Sequence, residues 1–227
     1  MHHVSTPALL GIAVVIAACT NGTDVDAVAP DAQAAVPESW TTEVVDDEQV
    51  GAFVVSAPDE ATQWAPGEDL GELTEATEGT DWAAFWLPLL EEAAVDSNIR
   101  TIVTDTAELG GEVVSWQINV TPRGDDGDFD APEELARNLA DGLAFQGLEI
   151  DDAGTTTWND QTIATVSFRV PEEVFGGEAR FVRQWFFPRS EPSALWSLTC
   201  DGPDDPTTTA EICGTVLDGF RPAVDAG

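Results

Sequence analysis

The chain has 227 residues, of which 43 are Asp or Glu and only 8 are basic, all of them Arg, so that its formal net charge is −35. Because nucleic-acid binding depends on cationic contacts to phosphate, this charge excludes a nucleic-acid partner, and it also disfavours adsorption to anionic lipid. Such acidity suits a salt-rich medium that screens the self-repulsion. A halophilic or a high-GC source would explain the absence of Lys, and composition does not distinguish the two.

The first eighteen residues have the pattern of a signal peptide. Eleven apolar residues run from Ala8 to Ala18 and are followed at once by Cys19. This run is too short to cross a bilayer, which takes about 20 apolar residues, and therefore predicts a signal-peptide h-region within residues 1–18. Since no Lys or Arg precedes the run, we expect translation to begin upstream of Met1.

Four residues at the end of this run, Ile16, Ala17, Ala18 and Cys19, resemble the lipobox of bacterial and archaeal lipoproteins. The resemblance implies cleavage before Cys19, acylation of that cysteine by chains such as palmitate, and anchoring to the outer face of the cytoplasmic membrane. The acyl chains would supply the membrane affinity that the acidic body lacks. The alternative is an ordinary signal peptide that happens to end beside a cysteine.

The rest of the chain divides into a tether, one domain and a short tail. Residues 19–37 follow the signal peptide and are small and acidic, without hydrophobic periodicity, which predicts a disordered tether. As a flexible coil this tether would span roughly 24 Å. Residues 38–222 are long enough for a single domain with a substantial core, and residues 223–227 form a tail.

The two remaining cysteines, Cys200 and Cys213, form an even pair once Cys19 is lipidated. An oxidising compartment favours a disulfide between them. Cys200 lies on the inward face of a predicted strand, and Cys213 lies on the apolar face of a predicted helix, so that both thiols point into one seam. Two free buried thiols are the alternative.

Seven segments have the alternation or β-branched composition of strands, namely 41–45, 51–56, 99–105, 112–120, 161–170, 179–187 and 194–200. Three segments have the 3.6-residue period of helices. The first follows Asp81 as N-cap and contains Pro88, the second begins near Pro132 and stops at Gly147, and the third begins at Pro206 behind Asp205. This order of elements predicts an α+β fold, with an antiparallel sheet packed by helices.

A family resemblance rests on the stretch GLEIDDAGTTTWNDQTIATVSFRV and the later stretch LWSLTCDGPDDPTTTAEICGTVLDGF. They look like the C-terminal half of PsbP-like domains, in which a final helix packs back on the sheet. Together with the lipobox, the chain is similar to small actinobacterial lipoproteins of the LpqN and LpqT kind. The resemblance implies a PsbP-like α/β/α sandwich and a non-catalytic module that docks to another macromolecule. It carries over no functional residue.

The residue inventory argues against catalysis. His2 and His3 leave with the signal peptide, and the chain has no Lys and no Tyr, so histidine-based nucleophilic systems, Schiff bases and histidine metal sites are excluded. A carboxylate-pair glycosidase remains the alternative, but with 43 acidic residues some close pair is expected by chance. We therefore expect no enzyme activity and no cofactor.

The densest acidic run, residues 124–134, is a weak Ca²⁺ candidate through Asp126, Asp128 and Asp130. An EF-hand-like loop starting at Asp126 would need Gly and Glu where the chain has Ala131 and Arg137. We favour the alternative, a solvated loop whose Asp130 helps to cap the next helix, and predict no metal site.

Half of all the Arg fall within 21 residues, at Arg169, Arg180, Arg183 and Arg189, and three of these share a hairpin with Trp185. Arg with Trp is the composition of binding hot spots, which makes Arg169, Arg180, Arg183 and Trp185 candidate partner-binding residues. The alternative is that these Arg neutralise neighbouring carboxylates.

The aromatic stripe of Trp82, Phe85 and Trp86 on the first helix also has two interpretations. It either belongs to the core or lines a ligand groove.

We expect a lipid-anchored protein that binds another envelope macromolecule. The alternative is a lipoprotein that binds a small apolar ligand or Ca²⁺.

Overall fold

The computed structural model describes residues 36–45, 47, 51–93, 98–105, 112–122, 130–175, 177–190 and 193–221. Its strands are β1 (Trp40–Val45), β2 (Phe53–Pro58), β3 (Thr62–Trp64), β4 (Ile99–Asp105), β5 (Val114–Pro122), β6 (Glu149–Trp158), β7 (Gln161–Val170), β8 (Arg180–Ser190) and β9 (Ser193–Pro203). Its helices are α1 (Gly71–Ala76), α2 (Asp81–Ala93), α3 (Pro132–Phe145), α4 (Glu172–Phe175) and α5 (Pro206–Gly219). No helix in these ranges is both long and apolar enough to span a membrane.

Seven of the strands form one antiparallel sheet in the order β3-β4-β5-β9-β8-β7-β6, while β1 and β2 form a separate hairpin. The chain leaves the middle of the sheet after β5, passes through α3, and enters the far edge at β6. It then returns as a meander, so that β9 pairs with β5. The predicted α+β class, an antiparallel sheet packed by helices, is confirmed.

Both faces of the sheet are covered, which makes an α/β/α sandwich. On one face, here named the α5 face, α5 and the β1–β2 hairpin pack on a core that holds Trp116, Trp185 and Trp196. On the other, here named the α3 face, α3 packs mainly on β6 and β7, and α1 and α2 pack on β3 and β4. Because neighbouring residues of a strand point to opposite faces, the two cores share strands but not side chains.

The helix starts follow local capping rules, with one departure from the sequence prediction. Asp205 is the N-cap of α5, and its carboxylate accepts hydrogen bonds from the backbone N–H groups of Thr207 and Thr208. At α2 the capping oxygen belongs to Thr80, whose hydroxyl accepts from Ala83 N–H at 3.1 Å. The prediction of Asp81 as N-cap is therefore wrong by one residue. Asp81 is the first helical residue, and its carboxylate accepts from the backbone N–H of Glu178 instead.

Four elements were not predicted: β3, β6, α1 and α4. The longest of them, β6, is an edge strand of mostly exposed polar residues, so that it lacks the hydrophobic alternation that identifies a strand. Its turn into β7 has positive φ at both Asn159 and Asp160, as a two-residue type I′ hairpin turn requires. Pairing with β7 and packing against α3 hold β6 in place, with Trp158 as its one fully buried side chain.

The end of α5 is attached to the β1–β2 hairpin. A Cβ added at Gly219 would lie 2.6 Å from Cβ of Ser56, so that the helix backbone lies directly on β2. The hydroxyl of Ser56 donates to the carbonyl oxygen of Gly219 at 3.2 Å. Arg221 then forms an antiparallel bridge with Val54, through two backbone hydrogen bonds of 2.9 and 3.1 Å.

Candidate functional site

The candidate Arg residues do not share one surface. Arg180, on β8, lies on the α3 face, whereas Arg183 and Trp185, three and five residues later, lie on the α5 face. Arg169, on β7, is opposite Phe181 and also lies on the α5 face. Nothing is described of the Arg189 side chain. The cluster seen in the sequence is therefore divided by the sheet itself.

Arg180 is the centre of a buried polar network. Its Nε lies 2.6 Å from Oδ2 of Asp201, and its Nη2 donates to the carbonyl oxygen of Val113 at 2.6 Å. Oδ1 of Asp201 accepts from the hydroxyl of Ser115, which in turn accepts from the indole N–H of Trp82 at 2.8 Å. The donors named here all have acceptors inside the protein, and the network joins α2 to three central strands. Arg180 thus stabilises the fold and presents nothing to a partner.

Arg169 lies in a surface cluster of carboxylates. Its Nε donates to Asp204 at 2.8 Å and its Nη1 to Asp151 at 2.9 Å, with Glu149 at 3.8 Å. The hydrogen bond with Asp204, together with the bond to Asp151, raises the pKa of the Arg169 guanidinium. The alternative interpretation of the Arg cluster, in which each Arg neutralises nearby carboxylates, therefore holds for both Arg169 and Arg180.

Trp185 is 1% exposed and belongs to the core of the α5 face. A buried indole cannot contact a partner directly, which corrects its prediction as a contact residue. Its role is to support Arg183, whose guanidinium carbon lies 5.4 Å from the centre of the Trp185 ring. Such stacking fixes the guanidinium and partly removes its water.

Arg183 differs from the other two arginines in its partners. It is half-buried, its Nε is shielded from solvent without a hydrogen-bond acceptor, and no described carboxylate forms an ion pair with it. On the neighbouring strand β7, Ser167 lies opposite Arg183, and Thr165 lies opposite Trp185. The Thr165 hydroxyl is likewise buried without a hydrogen-bond partner.

These four side chains on two adjacent strands, Arg183, Trp185, Thr165 and Ser167, are here named the Arg183 site. Thr165, Ser167 and Trp185 are buried, so that the half-buried Arg183 guanidinium is the group of this site that an incoming carboxylate or another anion could reach. Sequence reasoning missed Thr165 and Ser167, because a hydroxyl in a strand carries no signal of its own until the strand pairing is known.

The other predicted sites have mixed outcomes. Cys200 and Cys213 form the predicted disulfide, with 5.7 Å between their Cα atoms, and both are fully buried. Cys19 lies outside the described residues, so its lipidation stays a prediction. Asp126 and Asp128 also lie outside them, and no group of three or more metal-ligating side chains occurs in the part that is described.

The remaining calcium candidate, Asp130, does not cap α3. The N-cap position belongs to Ala131, without a side-chain hydrogen bond, and the Asp130 carboxylate instead accepts from the Asn138 amide at 3.3 Å. The expected cap is therefore wrong. The helix begins without one because Pro132, at its first turn, has no N–H to satisfy.

The aromatic stripe of α2 is divided between the two interpretations. Trp82 is 1% exposed and belongs to the core, whereas Phe85 and Trp86 are half-buried and contact the cluster beneath α3 as well. Trp86 also packs in the cluster between α2 and β4, so that it spans the space between the two helices.

Comparison with known proteins gives a structural likeness but no sequence family. No protein-family model matches the chain, and no match was found among curated proteins. Among solved structures, the chain is similar to the cyanobacterial PsbP (CyanoP) of Synechocystis sp. PCC 6803, with a TM-score of 0.49 and 13% sequence identity over 81% of this chain and 92% of that one.

Proposed function

We propose that the chain is a non-catalytic lipoprotein, held to the outer face of the cytoplasmic membrane by acyl chains on Cys19, which binds another envelope macromolecule. The partner binds on the α5 face at the Arg183 site, through a carboxylate or another anionic group. The observation that carries this proposal is that the Arg183 guanidinium lies over Trp185 and forms no ion pair with any carboxylate of the described residues.

Two observations support the proposed location outside the cytoplasm. The sequence has a lipobox after an apolar run, and the buried disulfide between Cys200 and Cys213 suits an oxidising compartment. The absence of catalysis is supported by the lack of His, Lys and Tyr after cleavage.

The proposal that a partner binds at the Arg183 site is supported by electrostatics. A field of net charge −35 repels anionic partners at long range, so an acidic group binds only where a cation is locally uncompensated. Arg169 and Arg180 are compensated by Asp204 and Asp201, whereas Arg183 is not. An arriving carboxylate would pair with a guanidinium that is already fixed on Trp185, which lowers the entropy cost of binding.

The anchor is tested by mass spectrometry of the N-terminal peptide and by fractionation of cells that express a Cys19→Ser variant. We expect acyl mass on Cys19 and loss of the variant from the membrane fraction. A mature peptide without acyl mass, or a variant that stays in the membrane, would contradict the anchor.

The partner site is tested by chemical cross-linking in intact envelopes with Arg183→Gln, and with Arg137→Gln on the exposed face of α3 as the control of equal charge change. We expect the principal cross-linked species to be lost in the first variant and kept in the second, and to weaken as salt concentration rises. Equal cross-linking in both variants would remove the Arg183 site from the proposal.

A further inference from the structure

The two edges of the seven-stranded sheet are unequal. One edge strand, β3, is only three residues long, whereas β6 at the other edge has ten residues. Within the described ranges, no backbone group pairs with β6 on its outer side. Since alternate residues of an antiparallel edge strand direct their N–H and C=O groups away from the sheet, β6 presents a row of unpaired donors and acceptors.

The two halves of β6 differ in how well they are protected. Natural edge strands avoid pairing with another chain by means of charged side chains, Pro or a bulge. The first half of β6 has a register irregularity between Ile150 and Asp152. It also carries three carboxylates, those of Glu149, Asp151 and Asp152. The second half, residues 153–158, has neither a charge nor a Pro, so its outer edge is open to an added strand.

The extended conformation of β6 exists before any partner arrives. The strand pairs with β7 from Glu149 to Trp158, and α3 packs against it. The indole N–H of Trp158 donates to the carbonyl oxygen of Leu217 at 3.1 Å, which joins the end of the strand to α5. Because this edge is already ordered, only the incoming segment loses conformational entropy on binding.

Gly154 leaves space for a side chain of an added strand. It lies on the α5 face of β6, between Asp152 and Thr156. A Cβ added at Gly154 would have no heavy atom within 4 Å, and its φ is not in the left-handed region that requires glycine. Glycine inside a strand often marks a place where another backbone comes close. A large side chain on an added strand could therefore cover this position.

Charge determines which segment the edge attracts. Glu149 and Asp151 share the Arg169 guanidinium, at 3.8 and 2.9 Å. Asp152 is exposed and forms no ion pair with a described residue, so a Lys or Arg opposite it on an added strand would complete a cross-strand pair. A second copy of this chain would instead bring another net charge of −35 to the edge. The edge therefore favours a basic segment over self-association.

We infer that β6 binds an extended basic segment of another protein by strand addition. The segment pairs through its backbone with the outer edge of β6, and it places a Lys or Arg opposite Asp152. Two residues away, on the same face, it places a large apolar side chain beside Gly154. This edge is separate from the Arg183 site, since Ser167 on β7 lies between Asp152 and Arg183, and either proposal can fail without the other.

The test uses the heptapeptide Thr-Lys-Thr-X-Thr-Lys-Thr, in which X is benzoylphenylalanine, a photoreactive analogue of Phe. A Lys two positions on either side of X suits both parallel and antiparallel addition. The full chain in a neutral detergent is irradiated with the peptide, and mass spectrometry of the digest locates the cross-link. We expect saturable cross-linking to residues 149–158, with half-saturation below about 1 mM.

Altered peptides separate backbone pairing from charge. One peptide is N-methylated at X and both Lys, and another at the four Thr, so that each lacks one row of N–H donors. We expect at least one of the two to lose the cross-link to β6. A peptide with Glu in place of both Lys should need about tenfold more peptide for half-saturation, because it meets Asp152 with a like charge.

Matched variants of the protein locate the contacts. Asp152→Asn should weaken binding of the Lys peptide about two- to fivefold, as expected for an exposed ion pair. Asp141→Asn makes the same change at an exposed position of α3 and should leave binding unaltered. Gly154→Val fills the space beside X without meeting another atom of the protein, and should weaken binding as well.

The proposal is overturned by any of four results. The first is the absence of a cross-link to β6 up to about 5 mM peptide. The second is equal cross-linking by both N-methylated peptides and the unaltered one, which would show contact without strand pairing. The third is unchanged binding in both Asp152→Asn and Gly154→Val. The fourth is a stable dimer in sedimentation, with β6 of one copy cross-linked to β6 of the other, which would identify a second copy as the occupant.

Discussion

The two faces of the same sheet are built on different principles. The α5 face is closed by aromatic rings and a disulfide, including a T-shaped contact of Phe53 with Trp196 and a stacked pair of Trp40 with Trp116 at 5.8 Å. The α3 face has two separate apolar cores, and its central strands also carry a buried ion pair and the polar side chains of Gln117, Gln184 and Thr199. Apolar burial is non-directional, whereas buried polar groups hold only with correct partners. The polar groups of the α3 face therefore fix the position of α2, through the hydrogen bond from Trp82 to Ser115.

The largest expected effect tests the buried network of the α3 face. Asp201→Ala leaves the Arg180 guanidinium and the Ser115 hydroxyl buried without their acceptor, which should lower the free energy of unfolding by about 3–5 kcal/mol in denaturant titrations. Asp151→Ala, which removes an exposed partner of Arg169, is the control and should cost less than about 1 kcal/mol. Equal losses in the two variants would mean that the network is not truly desolvated.

The next effect belongs to the α5 face. Replacing both Cys200 and Cys213 by Ala removes a link between residues 13 apart, which is worth about 3 kcal/mol in the chain-entropy model. Reduction of the unaltered protein with dithiothreitol should cause a similar loss, while the double variant should not respond to it. A response of the double variant to the reductant would show that the loss has another cause.

A smaller effect concerns the start of α5. Hydrogen bonds from the Thr208 hydroxyl, then from the Thr208 and Thr207 backbone, hold the pKa of Asp205 below its ordinary value of 3.8. Its stabilisation is therefore fully present above pH 3.8 and is lost as the pH falls through the lower folded pKa. Asp205→Ala should melt at a lower temperature than the unaltered protein at pH 7. The difference between the two melting temperatures should become smaller below pH 3.8. A difference that does not change with pH would contradict the charged cap.

The smallest expected effect separates binding from stability. Because Arg183 forms no ion pair with a carboxylate of the described residues, Arg183→Gln should change the free energy of unfolding by less than about 0.5 kcal/mol. Trp185→Ala beneath it removes a core side chain and should cost about 3–5 kcal/mol. A loss above 1 kcal/mol in Arg183→Gln would identify Arg183 as a structural residue and weaken its assignment to a partner site.

Much of the fold was predictable from local signals. The α5 helix has a Pro at its first turn, Asp205 before it, and Cys213 on its apolar stripe, and each of these features is local in sequence. The β6 strand was missed because an edge strand of Thr, Asp and Gly is held by backbone pairing and carries no hydrophobic pattern. Whether such a segment forms a strand depends on its position in the sheet, and the local sequence does not show that position.

The candidate site was predicted only in part, for a related reason. The alternation in β5 separates Trp116 and Ile118 from Ser115 and Gln117, which suggests one buried face and one solvated face. The structure covers both faces, so that the polar side became the ion-pair network and a group of buried or half-buried amide and hydroxyl side chains, including Gln117 and Thr199. Trp185 was placed at a binding surface for the same reason, since composition indicates amphipathic strands but not which side receives a helix.

The bridge between Val54 and Arg221 brings the two ends of the described chain together, because β1 lies beside β2 on its other edge. A pulling force applied between Trp40 and Arg221 would thus load the hairpin and its bridge, and the seven-stranded sheet would bear little of it. Under tension between these two ends, the hairpin and its bridge would separate before the strands of the seven-stranded sheet do.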